Sequence, residues 1–295
     1  MRHLFWTGKS EVAIMPGNDE QSKYWNGPGG RTWRDMQAVV DQMLKPLTDL
    51  LVETASTPAV SRVLDVGCGP GGTTLALARR LRAKGSVTGI DISEPLITMA
   101  LERARTEDTP ATFVRADAQT HQFEPATYDA VISRFGVMFF DDPVRAFANL
   151  RRAARAGAEL RFIAWRSPAE NPFMTEAERA AAPLLLNIPP REPGAPGPFA
   201  LQDRQRISSI LEQAGWTDID VRPIDVSCTF PEEELVRYFT RLGPVGRIFP
   251  ELDEKSRTQL IATLRPAFEP YVHGTEVRFT ASCWNASASA GARAG

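Results

Sequence analysis

Between residues 62 and 165 the chain alternates short β-branched runs with stretches in which Leu, Ala and Ile recur at helical spacing. The runs predict strands at 62–66, 86–91, 111–116, 128–133 and 159–165. The intervening stretches predict helices over 73–84, 95–106 and 143–156, while 121–125 is too short for one. Strands and helices in strict alternation predict an α/β fold with a doubly wound, mostly parallel sheet. After Trp165 the rhythm breaks. A helical pattern near 174–186 is followed by NIPPREPGAPGPF, whose prolines and glycines exclude a regular helix or a central strand. A helix over 204–214 and a strand over 217–228 resume the alternation. Two further helices, 231–242 and 253–271, precede an alternating strand at 276–284, and a helical pattern over 32–51 precedes the first strand.

Composition narrows the classes without choosing one. The 295 residues are 43% hydrophobic and 24% charged, an ordinary globular balance. A formal net charge of −2 gives no general attraction to nucleic acid or anionic membrane. Cys68, Cys228 and Cys283 are odd in number and lack CxxC spacing, which argues against a disulfide framework or a zinc site and fits a reducing cytoplasm; no metal is expected. No apolar run approaches the roughly 20 residues of a membrane-spanning helix. Residues 1–20 read as a flexible leader without signal-peptide character, within which Met15 is an alternative start to Met1. The tail ASASAGARAG, 286–295, reads as disordered. Residues 21–285 then form one domain: lid helices over 21–60, a core over 61–166, a flap over 167–202 and a helical insertion over 229–274.

The first strand runs into VLDVGCGPGG, residues 63–72, and then a helix. Glycines there let the backbone turn sharply and approach a ligand, and the helix N-terminus offers free N–H groups. Gly67, Gly69 and Gly72 satisfy GxGxxG, so a nicotinamide- or flavin-binding domain is one reading. Asp65, two residues before the first glycine, suits a ligand with an ammonium group better than a pyrophosphate. Asp91, ending the second strand in GIDIS, can accept from both ribose hydroxyls in either reading. Asp117 in RADAQ can accept from an adenine amino group.

Together VLDVGCGPG, GIDIS, FVRADA and YDAVISRFGVMFF resemble the class I S-adenosylmethionine-dependent methyltransferases, in particular the small-molecule branch with the ubiquinone- and menaquinone-type enzymes. The resemblance covers about residues 20–165. It implies a Rossmann-like seven-stranded sheet with the last strand antiparallel, and S-adenosylmethionine as cofactor, with S-adenosylhomocysteine as product. It implies that Gly67, Cys68 and Gly69 line the methionine portion with Asp65 near its ammonium, and that Asp91 and Ile92 hold ribose and adenine. Ala116, Asp117 and Ala118 would edge the adenine, Arg134 and Phe135 would lie near the sulfonium, and Trp33 would close over the cofactor.

The position after the fourth strand reads SRFGVM where base methylases of this family carry Asn/Asp-Pro-Pro-Tyr/Phe, which argues against a nucleic-acid substrate. In YWNGPGGRTW, residues 24–33, Tyr24 and Trp25 flank a glycine-rich turn and are lid candidates. Trp25, Met138, Phe173, Phe199 and Tyr238 are candidates to enclose an apolar or aromatic small-molecule acceptor, with oxygen or carbon as the accepting atom. Either no general base is used or His273 or Tyr24 assists; His3 and His121 are assigned no role. A nicotinamide-dependent oxidoreductase and a non-catalytic nucleoside-binding protein remain alternatives, and the chain is expected as monomer or homodimer without integral membrane contact. Asp142 before Pro143 reads as a helix cap, with Asp141 beside it.

Overall fold

The computed structural model describes residues 18–57, 60–82, 85–184, 192 and 194–291. The leader with His3 and Met15, most of the 185–193 stretch of the flap and residues 292–295 lie outside them. Eight strands make one sheet: β1 (Arg62–Val66), β2 (Ser86–Asp91), β3 (Thr112–Arg115), β4 (Tyr128–Arg134), β5 (Ala154–Trp165), β6 (Thr217–Pro231), β7 (Val272–His273) and β8 (Glu276–Ser289). Their order is β3-β2-β1-β4-β5-β8-β6, with β7 paired only to β8. Strands β1 to β5 pair in parallel, and β8 runs antiparallel between β5 and β6. The seven expected strands are therefore present with the last one antiparallel. The eighth, β7, is a two-residue leg of a hairpin.

Helices α1 (Asp19–Asn26), α2 (Pro28–Asp35), α3 (Gln37–Met43) and α4 (Lys45–Ala55) precede the sheet. The core carries α5 (Gly72–Leu81), α6 (Glu94–Thr106) and α7 (Pro143–Ala153), and then come α8 (Pro172–Ala181) and α9 (Arg204–Gln213). The insertion after β6 holds α10 (Leu235–Arg241), α11 (Gly243–Ile248) and α12 (Glu254–Ala267). Asp142, Asp203 and Asp253 each cap a helix by accepting a backbone N–H, from Arg145 at 3.0 Å, Arg206 at 2.7 Å and Ser256 at 2.7 Å. The Asp141–Asp142 pair thus opens α7, as its place before Pro143 implied.

Three expectations change. The single helical pattern over 32–51 is three segments: Pro46 has no N–H to continue the α3 ladder, and the chain breaks at Leu44. The glycine-rich turn in YWNGPGGRTW is instead the first turn of α2, where glycine permits close packing. A Cβ on Gly30 would stand 1.9 Å from the Trp25 carbonyl oxygen and 2.8 Å from Ser93 Oγ. The tail is not disordered from residue 286. Ser287 and Ser289 pair with Arg161 and Glu159 of β5, and Ala286, Ala288 and Ala290 are buried. Small alternating side chains look featureless in sequence, yet they are what a crowded central strand accommodates.

That strand end makes a test of the fold. Ala286→Asp would bury an unpaired carboxylate between β5 and β6 and is expected to destabilise the protein by about 3–5 kcal/mol. Urea unfolding measures it; a midpoint unchanged from wild type would mean that the tail is not inserted.

Candidate active site

The carboxyl ends of β1, β2 and β4 meet at a cavity of about 270 Å³. Their meeting is set by a backbone contact. A Cβ on Gly67 would lie 2.5 Å from the Gly136 Cα, and one on Gly136 would lie 2.4 Å from the Val66 carbonyl oxygen. Ser133 secures the same junction: its hydroxyl donates to the Val66 carbonyl at 2.7 Å and accepts from the N–H of Gly136 at 3.1 Å and Val137 at 3.3 Å. Gly69, at φ +54°, has nothing within 4 Å of the position a Cβ would take, so the turn presents bare backbone to the cavity.

Asp91 holds the turn from the next strand. Its Oδ2 accepts the Gly69 N–H and its Oδ1 the Ser93 N–H, each at 2.8 Å. Burial pushes its carboxyl above the usual carboxylate range, and these N–H groups pull it back. Each oxygen keeps a second acceptor direction for a diol. Asp117 is built alike, accepting the Gln119 N–H at 2.9 Å, and with Ala116 and Ala118 it forms part of the cavity wall.

Asp65 sits elsewhere than expected. Its carboxylate is buried beneath the turn, accepts from the Thr74 hydroxyl at 2.6 Å and does not line the cavity. Burial pushes it up to about 7, against the Thr74 hydrogen bond and the Arg134 charge, which lower it, while Asp91 adds to the rise. Strand alternation points the side chain into the α5 packing layer, away from the ligand face.

Arg134 and Phe135 leave β4 in opposite ways. Arg134 lines the cavity and donates to the Thr48 hydroxyl of α4 at 2.5 Å, with Asp41 of α3 4.0 Å away. Phe135 has φ +64°, a strained value for a side chain of its size. Its ring stacks on Trp165, centroids 4.4 Å apart and planes 2° from parallel, and its N–H donates to the Ile163 carbonyl at 3.0 Å.

The lid closes the cavity with aromatic edges. Trp25 meets Tyr24, Trp33 and Phe139 edge-on at 5.1, 6.0 and 5.2 Å. Its anchorage is on the loop that follows Asp91: Asn26 donates to the Ile92 carbonyl at 3.1 Å and accepts the Glu94 N–H at 2.9 Å, and Ser93 Oγ donates to the Trp25 carbonyl at 2.7 Å. Asn26 thereby supplies the first turn of α6 with the side-chain acceptor that Ser93 does not give.

Of the residues singled out from sequence, Gly67, Cys68, Gly69, Asp91, Ile92, Ala116, Asp117, Ala118, Arg134, Phe135 and Trp33 line this one cavity, as do Tyr24, Trp25, Met138, Phe173 and Tyr238. Three do not. Phe199 is buried next to the lining residue Pro198 but does not itself line the cavity. His273 is exposed on the β7–β8 hairpin and does not line the cavity. Asp65 is the third. His121 packs edge-on against Phe123 at 4.7 Å, so among the described residues no histidine lines the cavity. Sequence reasoning missed Ser133, Gly136, Asn26, Trp165 and Arg247. A glycine two residues past a strand end was the one available signal, for Gly136; the others become visible only when distant elements meet.

The sheet, the bare turn and the acid after β2 define a nucleoside-binding α/β domain. An antiparallel strand interposed between β5 and β6 departs from the all-parallel order of dinucleotide-binding domains. Residues 63–157 match the family model described as a methyltransferase domain. Over 131 residues the chain is 31% identical to an uncharacterized protein of Mycobacterium tuberculosis, covering 44% of this chain and 47% of that one. It therefore spans about half the length of the curated relatives it matches first. It is also 26% identical over 227 residues to a demethylmenaquinone methyltransferase of a Roseiflexus species, covering 72% and 92%. Among solved structures, the [4+2]-cyclase SpnF shares the fold at TM-score 0.60 and 16% identity, over 92% of this chain and 97% of that one. A putative methyltransferase from Bacillus halodurans does so at TM-score 0.53 and 15% identity, over 83% and 98%. Over residues 63–157 the chain is thus similar to methyltransferase domains, and beyond them it shares their fold. Among the described residues no helix is long and apolar enough to cross a membrane.

The position of Asp65 has a measurable consequence. A folded-state pKa near 7 against an ordinary 3.8 means that the protonated form favours folding. This contribution is complete below about pH 3.8 and is lost as the pH rises through about 7. Relative to Asp65→Asn, the wild type is expected to lose stability between about pH 4 and 7, by at most about 4 kcal/mol. Parallel urea titrations across that range check it, and equal pH slopes for the two proteins would contradict it.

Proposed function

We propose that the protein transfers a methyl group from S-adenosylmethionine to an apolar or aromatic small molecule, through an oxygen or carbon acceptor atom. The observation that carries this reading is a single cavity running from the bare glycine turn and Asp91 to an aromatic enclosure that includes Trp25, Phe139, Phe173 and Tyr238. Such a site holds a polar nucleoside at one end and apolar matter at the other. The demethylmenaquinone methyltransferase among the relatives agrees with an apolar aromatic acceptor.

The residues fit the cofactor part by part. Asp91 has acceptor directions left for ribose hydroxyls, Asp117 and Ala118 face the adenine position, and Gly67 to Gly69 offer backbone to the amino-acid end. Arg134 suits the carboxylate of that end, because a guanidinium beside a sulfonium would repel it; this refines its expected place. When bound, the cofactor supplies a methyl group already activated by positive sulfur. The chain's own work is then to align the acceptor for in-line displacement and to exclude water, tasks for Trp25, Met138 and Tyr238. Burial pushes the Tyr238 hydroxyl up, away from any role as a base. We assign no dedicated base: His273 is solvent-exposed and outside the cavity lining, and Tyr24 serves the wall. The nicotinamide reading loses its support with the sheet order. A non-catalytic role remains as a second reading to be excluded by turnover.

Calorimetry with S-adenosylhomocysteine and NADH, followed by a turnover panel of phenols and hydroquinones, tests the proposal. S-adenosylhomocysteine is expected to bind and NADH not to. Asp91→Ala is expected to weaken S-adenosylhomocysteine about 100-fold, since about 1.5–3 kcal/mol rests on each hydrogen bond to a charged group. His273→Ala is expected to keep kcat within about twofold. Preference for NADH would refute the cofactor assignment, binding without turnover would favour the non-catalytic role, and a large loss with His273→Ala would reinstate a base.

A further inference from the structure

The cavity has a charged group that the cofactor does not account for. Arg247 of α11 lines it, with its guanidinium over the Tyr24 ring at 4.7 Å. Tyr24 in turn meets Trp25, and Trp25 meets Phe139 just beyond β4, so an aromatic series leads from Arg247 to the place where the methyl donor is expected. No ion pair to Arg247 occurs among the described residues. The other charges on the lining are committed. Asp91 and Asp117 hold backbone N–H groups at the nucleoside end, Arg134 bonds Thr48, and Glu178, beside Tyr238, has an interaction of its own.

A second polar group faces the same cavity. Asn18 is 7% exposed, it lines the cavity, and its Oδ1 has no hydrogen-bond partner among the described residues. Asn18, which precedes α1, and Gln21 and Trp25 within it follow one another at i, i+3 and i+7, and all three line the cavity. A buried amide left unpaired costs about 1–3 kcal/mol, which a ligand donor at this spot would recover.

Resting on the methyltransferase reading, we infer that the acceptor is an aromatic acid. Its ring system lies against Trp25 and Phe139, its anionic group is read by Arg247, and a hydroxyl or N–H of the same molecule donates to Asn18. The guanidinium is planar and already held on one face by Tyr24, which leaves its N–H fork open for a carboxylate. Arg247 is a specificity residue, remote from the reacting atoms.

Two isosteric probes that differ only in charge, 1-naphthoate and 1-naphthamide, test this by calorimetry on protein saturated with S-adenosylhomocysteine. Saturation is established first, so failure of the cofactor reading shows as absent S-adenosylhomocysteine binding and is separate from failure of this one. Wild type is expected to bind the naphthoate at least about tenfold more tightly than the naphthamide. Arg247→Gln is expected to abolish that preference and Arg247→Lys to keep part of it, both with S-adenosylhomocysteine affinity unchanged. Equal binding of both probes, binding of neither, or a preference that survives Arg247→Gln overturns the inference.

Discussion

The site depends on two backbones touching. Where β1 ends at Val66 and β4 ends at Arg134, the chain brings Gly67 against Gly136 with no space for a Cβ on either. The glycine turn is therefore positioned by the neighbouring strand's exit as much as by its own dihedral angles. Ser133 locks the junction with three hydrogen bonds from one hydroxyl. Phe135, between them, takes a positive φ that only surrounding packing can hold, and its ring on Trp165 is that packing. Any side chain at residue 67 or 136 would separate the two strand ends on which both halves of the cavity rest.

From that junction the charged groups sort by depth. Asp91 faces the cavity and binds the turn; Asp65, one strand over and more deeply buried, faces the helix layer and binds Thr74. Both carboxyls are raised by burial, yet only one can meet a ligand. A carboxylate under the turn still matters electrostatically, since it sits in the field of Arg134 and Asp91. It meets Thr74 and does not line the cavity, so it makes no direct contact with a ligand held there.

What could be read from sequence follows from how local each feature is. The strands β1 and β2, the caps at Asp142 and the nucleoside-facing motifs rest on neighbours within a few residues, and they were legible. The acceptor side was legible only as composition: Phe173 lines the cavity while Phe199, the same residue type in the same flap, does not. Helix α11 was hidden because Gly243 and Pro244 read as breakers, although proline near a helix start is favourable. The alanine–serine tail was hidden for the opposite reason. Its small residues carry no hydrophobic signal, and their place between β5 and β6 depends on strands more than 50 residues away.

The lid makes the two halves of the cavity interdependent. Asn26 and Ser93 fasten it to the segment immediately after Asp91, so whatever orders that segment also orders Trp25. Gly30 lets the lid pack directly on the start of α6, where a Cβ would stand 2.8 Å from Ser93 Oγ and 3.0 Å from Pro95 Cγ. Tyr24, on the same helix, carries the Arg247 guanidinium. A nucleoside held by Asp91 and an acceptor held under α11 would thus be connected through one short helix, α1, whose Gln21 and Trp25, with Asn18 just before it, line the cavity. The connection is made of hydrogen bonds and ring edges with defined partners. It runs through the lid and not through the sheet.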